Sequence, residues 1–298
     1  MTKLLILGAT GNLAGMTVAA LAGAKDIQLR LASSRDAGVE RLRAAHASSE
    51  VVRADWYDLE SLRRAFDGVN RALLVSNDLL TDEKIATANI VAAAKATRSL
   101  DLIVRVIGAA PGLAESDMTQ EWLATGVGTA QRWISMPLLK ESKLPVAYVN
   151  AAGALMHNLL WNAGEIKASR RLLYPGALSA PQLWIADRDL VDVIAKVLIE
   201  GPAAHAGKEY ALTGAARHTI AEVAAMVSEE IGEKVTWVDT EQAMRAALGG
   251  LADKLMTAMR YEQRHNVKVP ITDTVERLLG RPQTTLRQYI AAHRAAFA

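Results

Sequence analysis

The chain has 298 residues, of which 51% are hydrophobic and 22% are charged, with 34 lysines and arginines against 32 acidic residues. This composition is typical of a globular protein with one large domain or two smaller ones, and it excludes an intrinsically disordered chain. The net charge of +2 comes without a dense basic block, which argues against a protein that binds the nucleic-acid backbone. We therefore expect no nucleic-acid partner.

Cysteine is absent, which excludes disulfide bonds, thiolate metal sites, iron–sulfur clusters and a cysteine nucleophile. The six histidines do not fall in an HxxxH or HExxH spacing, so we expect no metal centre. The apolar run Leu4–Leu7 is too short for a signal peptide. No apolar stretch reaches the roughly 18 residues of a membrane span. We expect a cytoplasmic protein without a membrane partner.

Short apolar runs alternate with helical periodicity through the first half of the chain. Parallel strands that are buried on both faces are typically continuous apolar runs. Such strands are predicted at 4–7, 27–32, 51–53, 71–75, 102–107 and 146–149. The spacing of apolar residues on one helical face predicts helices at 13–21, between the second and third strands, and at 59–66, 82–98 and 129–141.

Six strands with a helix between most neighbours predict an α/β fold with a doubly wound parallel sheet, because crossovers between parallel strands are right-handed. Residues 1–150 are therefore predicted to form a Rossmann domain that binds NADP. A closed eightfold barrel is the alternative. It would need two more strand–helix units, and the pattern changes after Asn150.

Residues 151–298 are richer in helices and are predicted to form a smaller substrate lobe that is interleaved with the Rossmann domain. Thr219 and Glu222 have the spacing of a capping box, which predicts a helix that runs to Gly232. Further helices are predicted at 189–200, from residue 239, and over 272–298 with a break near residue 280, and strands at 209–213 and 234–238.

The segment 8–15 follows the first predicted strand and opens the first predicted helix. Gly8 allows a tight turn, and Gly11 lets the backbone approach a pyrophosphate closely. Free N–H groups and the positive end of the helix dipole favour an anion at this point. A plain strand-to-helix turn is the alternative interpretation. The strand–helix context favours a dinucleotide site, with its pyrophosphate held by Gly8, Thr10, Gly11, Asn12 and Leu13.

The end of the second predicted strand discriminates between the two pyridine dinucleotides. An NAD site needs a carboxylate there, and that carboxylate would repel the 2′-phosphate of NADP. Here Ser34 and Arg35 follow the strand, and the first acid is Asp36. Arginine forms forked, charge-assisted hydrogen bonds with phosphate. This pattern predicts NADP(H) in preference to NAD(H), with a solvated arginine that caps the loop as the alternative.

Two further segments are assigned to the dinucleotide. Asp55 follows the third strand, where it is placed to accept a hydrogen bond from the adenine amino group, with Trp56 beside the ring. Asp58 is interpreted as the N-cap of the next helix. Ser76 and Asn77 follow the fourth strand, where the nicotinamide half would pass. A turn-forming Ser-Asn pair is the alternative.

The glycine turn has the spacing GxxGxxA, with Ala14 at the third position. This spacing is similar to that of the extended and atypical short-chain dehydrogenases/reductases. The chain resembles the NmrA-like family among them, and the resemblance covers most of its length. The family includes quinone, triphenylmethane-dye and isoflavone reductases as well as redox-sensing regulators. The resemblance implies a Rossmann fold, an NADP(H) cofactor and a small-molecule substrate. It rests on Arg35, Asp55 and the segments 61–69, 144–145, 156–158, 189–191, 210–214 and 272–282.

The acid–base residues usual in short-chain dehydrogenases are missing. Those enzymes carry a lysine four positions after the catalytic tyrosine, and none of the six tyrosines here has one. Ile107 stands where the fifth strand is expected to carry Ser or Thr. The resemblance to isoflavone-type reductases places Arg132 at the position of a functional lysine, with a surface arginine as the alternative. His157 is a candidate proton relay and Asn158 a candidate for orienting the substrate; packed side chains are the alternative.

These features favour an NADPH-dependent reductase that transfers hydride to a small conjugated or aromatic electrophile such as a quinone, enone, imine or dye. Quinone reduction needs no dedicated acid, because the cofactor delivers hydride and solvent can protonate the hydroquinone anion. A non-catalytic NADP(H)-binding redox sensor that acts through a protein partner is the alternative. The missing tyrosine–lysine pair argues against a sugar-nucleotide epimerase.

Two further questions stay open at the level of the sequence. A homodimer is compatible with it, but no feature sets the oligomeric state. Trp161, Trp184 and Trp237 are assigned to the core, with an aromatic substrate pocket as the alternative.

Overall fold

The computed structural model describes residues 1–76, 81–108, 117–127, 129–266 and 268–298, and only the backbone of residues 129, 131, 132 and 266. The strands are β1 (Thr2–Leu7), β2 (Ile27–Ser33), β3 (Glu50–Arg53), β4 (Arg71–Leu74), β5 (Leu102–Ile107), β6 (Val146–Ala151), β7 (Ala154–Leu155), β8 (Arg171–Tyr174), β9 (Gln182–Ile185), β10 (Glu209–Leu212), β11 (Arg217–His218) and β12 (Thr236–Asp239). The α-helices are α1 (Asn12–Leu21), α2 (Asp36–Ala45), α3 (Leu59–Phe66), α4 (Glu83–Ala96), α5 (Gln120–Thr125), α6 (Thr129–Ser142), α7 (Ala163–Ser169), α8 (Asp187–Glu200), α9 (Pro202–His205), α10 (Ile220–Ile231), α11 (Glu241–Leu248), α12 (Gly250–Asn266), α13 (Thr274–Leu279), α14 (Leu286–Ala292) and α15 (Arg294–Phe297). Turns of 3-10 helix cover Met156–Asn162 and Gly176–Leu178.

Seven strands form the main sheet in the order β10-β6-β5-β4-β1-β2-β3. β1 pairs in parallel with β2 and β4, and parallel pairing continues from β2 to β3 and from β4 through β5 to β6. The predicted α/β fold with a doubly wound parallel sheet is therefore confirmed. Because the order reverses at β1, the turns after β1, β2 and β4 lie around the topological switch point, where ligands bind in such sheets.

Local sequence explains the elements that carry these turns. Residues 4–7 of β1 are completely buried, as a strand covered on both faces by helices must be. At the start of α3 the Asp58 carboxylate accepts the backbone N–H groups of Glu60 and Ser61, so its assignment as an N-cap is confirmed. The capping box of Thr219 and Glu222 at α10 is likewise confirmed.

Some parts of the second half differ from the sequence prediction. The segment 272–298 forms the three short helices α13, α14 and α15 instead of one helix with one break. Gly280 ends α13 with φ +67°, which only glycine adopts without strain. The strands β8 and β9 and the long helix α12 were not predicted.

The chain divides into two units, each with its own core. Unit 1 contains residues 1–107, 131–150 and 191–210, and unit 2 contains 108–130, 151–190 and 211–298. In unit 1 the core includes side chains of the sheet and of α3, α4 and α6. In unit 2 it includes α10, α14, β8 and the buried Trp184. Within the described residues, no helix is long and apolar enough to cross a membrane.

Candidate cofactor site

The turn between β1 and α1 leaves backbone N–H groups available to a ligand. Gly8 has φ +70°, and Gly11 donates its N–H to the Gly8 carbonyl at 2.8 Å. Gly11 is the N-cap of α1 and has no side chain with which to cap the N–H groups of the first turn. A Cβ on Gly11 would lie 3.2 Å from the Gly8 oxygen. The turn therefore fits a pyrophosphate, because it presents N–H groups and the helix dipole without a side chain in the way.

The remaining predicted pyrophosphate residues lie on this turn as expected from their positions. Thr10 and Asn12 are exposed and Leu13 is half-buried. Ala14 is completely buried, which agrees with its small size at the point where α1 packs on the sheet. The N–H of Ala9 donates to the Ala32 carbonyl at 3.0 Å, so the turn is tied to the end of β2.

Three arginines approach the end of β2. Arg35 is exposed at the N-cap of α2, and its N–H donates to Ser33 Oγ at 3.3 Å. From β3, Arg53 donates to the Ser34 carbonyl at 3.3 Å and forms an ion pair with Asp36 at 3.5 Å. From α2, Arg41 donates to the Thr10 carbonyl at 3.4 Å. The exposed Ser34 and Arg35 therefore lie in a cationic environment that suits a phosphate.

Gly38 permits the close approach of α2 to this corner. A Cβ at this position would lie 2.2 Å from Ser33 Oγ and 3.3 Å from the Thr10 methyl group. Glycine is therefore required by packing between the two loops that are assigned to the dinucleotide. Gly38, Arg41 and Arg53 were missed by sequence reasoning. Only Gly38 had a local signal, a glycine inside an otherwise polar helix.

The loop after β3 is held by hydrogen bonds on the side assigned to adenine. Asp55 accepts the backbone N–H of Tyr57 at 3.0 Å with one carboxylate oxygen, and its own N–H donates to Ser61 Oγ at 2.9 Å. Trp56 is half-buried and packs on the core of unit 1. Asn89 of α4 donates to the Trp56 carbonyl at 3.1 Å. The loop is thus fixed from both α3 and α4.

Ser76, two residues after β4, has a charged partner that the sequence did not indicate. Arg105 of β5 donates through Nη2 to Ser76 Oγ at 3.0 Å. The same nitrogen donates to the carboxylate of Glu83, the first residue of α4. Both members of this ion pair are buried. Asn77 lies outside the described residues.

The candidate catalytic residues of unit 2 make local contacts. The backbone N–H of His157 donates to Asp187 Oδ2 at 3.0 Å. The imidazole ring of His157 meets Trp161 edge-on, with 6.4 Å between the ring centroids. The Asn158 side chain bonds to the hydroxyl of Tyr174. Trp161 is 76% exposed, so its assignment to the core is wrong.

Asp187 is a buried carboxylate at the start of α8. Burial raises its pKa, although electrostatic interactions with His157 and His293 act in the opposite direction. Tyr174, the partner of Asn158, is also buried, and burial raises its pKa to about 12. A phenol and a carboxyl in such surroundings favour their neutral forms.

Two further positions considered for chemistry lie on β5 and α6. Ile107 is a buried residue at the end of β5, so no hydroxyl is present there. The side chain of Arg132, on α6, lies outside the described residues. Across the residues that the structure describes, no three His, Asp or Glu side chains gather as a metal site would require.

Comparison with known proteins decides the family. The profile of the NmrA-like family matches residues 1–289. The chain belongs to the NmrA-like family. The resemblance seen in the glycine turn and the later segments is thereby confirmed.

Several proteins that are similar to the chain are named as reductases. The chain is 30% identical to a (4-alkanoyl-5-oxo-2,5-dihydrofuran-3-yl)methyl phosphate reductase of Streptomyces griseus, over 99% of both chains. It is 29% identical to an NAD(P)H azoreductase of Xenophilus azovorans, also over 99% of both. The solved NADPH-dependent quinone oxidoreductase of Escherichia coli is 25% identical with a TM-score of 0.74, over 97% of this chain and 98% of that one.

Proposed function

We propose that this protein is an NADPH-dependent reductase that transfers hydride to a small conjugated or aromatic electrophile, such as a quinone, enone, imine or dye. The observation that carries the cofactor half is the uncapped turn after β1, because the neighbouring parallel strand β2 is followed by the exposed Arg35. The carboxylate of Asp36, the nearest acid, is engaged by Arg53. The substrate class is supported by the reductases, named above, to which the chain is similar.

When bound, NADPH supplies the hydride, and the protein holds the acceptor carbon against it. The chain's own residues then have binding and positioning roles. The first turn of α1 and the glycine turn bind the pyrophosphate, and Ser34 and Arg35 bind the 2′-phosphate. Asp55 and Trp56 bind the adenine, and Ser76 contacts the nicotinamide half. Hydride transfer to a quinone leaves an oxyanion that water protonates, so the missing tyrosine–lysine pair is compatible with turnover.

The preference for NADP(H) can be tested at Arg35. Charge-assisted hydrogen bonds to a phosphate contribute about 1.5–3 kcal/mol, or roughly ten- to a hundredfold in affinity. The Arg35→Ala variant should lose about that much affinity for NADPH and little for NADH, as measured by calorimetric titration. Arg43→Ala is the matched control, because Arg43 is an exposed arginine in the last turn of the same helix. Equal losses for both coenzymes in Arg35→Ala would contradict the phosphate role.

The reductase activity is tested by mixing the protein with NADPH and a panel of quinones, enones and azo or triphenylmethane dyes. Oxidation is followed at the absorbance band of the reduced nicotinamide. Turnover of at least one acceptor is expected. Tight NADP(H) binding without turnover of any acceptor, together with a stable protein partner, would favour the redox sensor, which the missing acid–base residues also fit.

The roles of Arg132, His157 and Asn158 are part of the same proposal. Loss of turnover with unchanged NADPH binding in His157→Ala or Arg132→Ala would support a role in the reaction. Asn158→Ala should alter the KM for the electrophile if this amide orients the substrate. An unchanged KM would assign Asn158 to the support of Tyr174 alone.

A further inference from the structure

A buried ion pair joins three elements of unit 1 next to Ser76. Arg105 on β5 is 1% exposed and Glu83 at the start of α4 is 0% exposed. Nη2 of Arg105 donates both to Glu83 and to Ser76 Oγ. The second carboxylate oxygen of Glu83 accepts a hydrogen bond from Thr87 Oγ1 at 2.7 Å. The guanidinium of Arg105 in the middle of β5 thereby connects the residues just after β4 with the first turn of α4.

This arrangement is poorly explained by stability alone. Taking an arginine and a glutamate out of water costs several kcal/mol, and well-packed apolar residues in their place are often as stable. Tyr148 is the parallel neighbour of Arg105 in the register of β5 and β6. Within the part of the chain that the structure describes, neither Nε of Arg105 nor the Tyr148 hydroxyl has a hydrogen-bond partner. The ion pair and its neighbour therefore leave polar hydrogen-bonding capacity unused, which lowers the stability that the cluster contributes.

We propose that Arg105 is a positioning residue that orients the Ser76 hydroxyl to donate a hydrogen bond to the nicotinamide half of NADPH. A serine hydroxyl has one hydrogen to donate and two lone pairs, whereas a guanidinium can only donate. Because Arg105 occupies the acceptor side of Ser76 Oγ, the hydroxyl hydrogen points to another group. The carboxamide and ribose oxygens of the nicotinamide half are acceptors of that kind.

This inference rests on the proposed function, because it concerns the same cofactor. The two can be separated with adenosine 2′,5′-bisphosphate, which shares the phosphorylated adenosine with NADPH but lacks the nicotinamide. If the wild-type protein binds neither ligand, the proposed function itself is wrong. If it binds both, the variants described next decide on Arg105 alone.

The decisive variant is the double replacement Arg105→Met/Glu83→Leu, which removes the pair without leaving a buried charge. Its Kd for NADPH should rise about fivefold, which corresponds to the loss of one hydrogen bond. Its Kd for the bisphosphate should change by less than about twofold, because that ligand lacks the nicotinamide half and loses no hydrogen bond. Ser76→Ala should show the same pattern. Adding Ser76→Ala to the double variant should cause no further loss, because Arg105 acts through Ser76.

The matched control is Arg71→Met. Arg71 begins β4 and forms an ion pair with Asp101, which precedes β5, at 3.2 Å. It therefore joins the same two strands at their opposite end. This variant should lower thermal stability but keep the ratio of the two affinities unchanged.

Three results would overturn the proposal. The first is a folded double variant with unchanged NADPH affinity, the second is an equal loss for both ligands, and the third is an additive loss with Ser76→Ala. Should the double variant fail to fold, Arg105→Lys replaces it. Lysine keeps a charge opposite Glu83, but its ammonium lies one bond closer to the backbone than Nη2 of arginine and does not reach Glu83 and Ser76 together. The same loss specific to NADPH is therefore expected, and an unchanged affinity overturns the proposal.

Discussion

The packing of α2 on the end of β2 leads to a prediction about Gly38. In the Gly38→Ala variant the added Cβ would lie 2.2 Å from Ser33 Oγ, 3.0 Å from Ser33 Cβ and 3.3 Å from the Thr10 methyl group. The hydroxyl can rotate away, but the Cβ of Ser33 belongs to a buried strand residue and cannot. The helix or the strand end must therefore shift by some tenths of an ångström.

Two opposing free-energy changes set the size of the effect. Alanine in a helix is favoured over glycine by up to about 1 kcal/mol, whereas overpacking costs typically about 1–3 kcal/mol. The net loss of about 1 kcal/mol should lower the Tm by about 2–4 °C. Since Ser33 Oγ also accepts the Arg35 N–H, the shift should weaken NADPH binding, by about twofold if about half of one hydrogen bond is lost.

The assay is thermal unfolding followed by circular dichroism, together with calorimetric titration of NADPH. Gly164→Ala in α7 is the control, because a Cβ there meets no atom within 4 Å. That variant should raise the Tm by a few degrees and leave NADPH binding unchanged. If Gly38→Ala raised the Tm as Gly164→Ala does, with unchanged affinity, the packing argument would be refuted.

Three other predictions concern stability. Gly214→Ala should lower the Tm far more than Gly207→Ala, although both glycines have positive φ. A Cβ on Gly214 would lie 1.8 Å from the Trp184 carbonyl oxygen, whereas a Cβ on Gly207 would meet no atom within 4 Å. Equal losses of Tm in the two variants would contradict this packing argument. Because burial raises the pKa of Asp187 above 3.8, the folded state binds its proton more tightly, and the associated stability is lost as pH rises through the folded pKa. Asp187→Asn should therefore gain Tm relative to wild type as the pH rises above 3.8, the ordinary pKa of the carboxyl, and a constant difference would refute the argument. Burial also raises the pKa of Tyr148 from 10.0 to about 12, so stability should fall over that alkaline range, and Tyr148→Phe should fall less in a pH series of thermal melts.

The elements of the first half could be predicted because their signals are local. The strand 102–107 and the helix 59–66 have the predicted bounds, since continuous apolar runs and a 3.6-residue period reflect burial directly. The turn from Gly8 to Gly11 was recognisable for the same reason: the conformation it needs is available to glycine at those positions. Asp58 was recognisable as a helix cap from its place just before the helix, and Thr219 from its spacing to Glu222.

What the sequence by itself determined, then, is the class of fold, the place of the glycine turn and the family resemblance. Only the tertiary structure decided which distant side chains meet there. Arg53 reaches Ser34 because β3 lies beside β2, and Arg105 reaches Ser76 because β5 lies beside β4. A local pattern specifies that a strand forms but not which strand becomes its neighbour, because strand order depends on crossovers between segments far apart in the chain. For that reason the sequence did not indicate that Arg105, within an otherwise apolar strand, contacts Glu83 and Ser76.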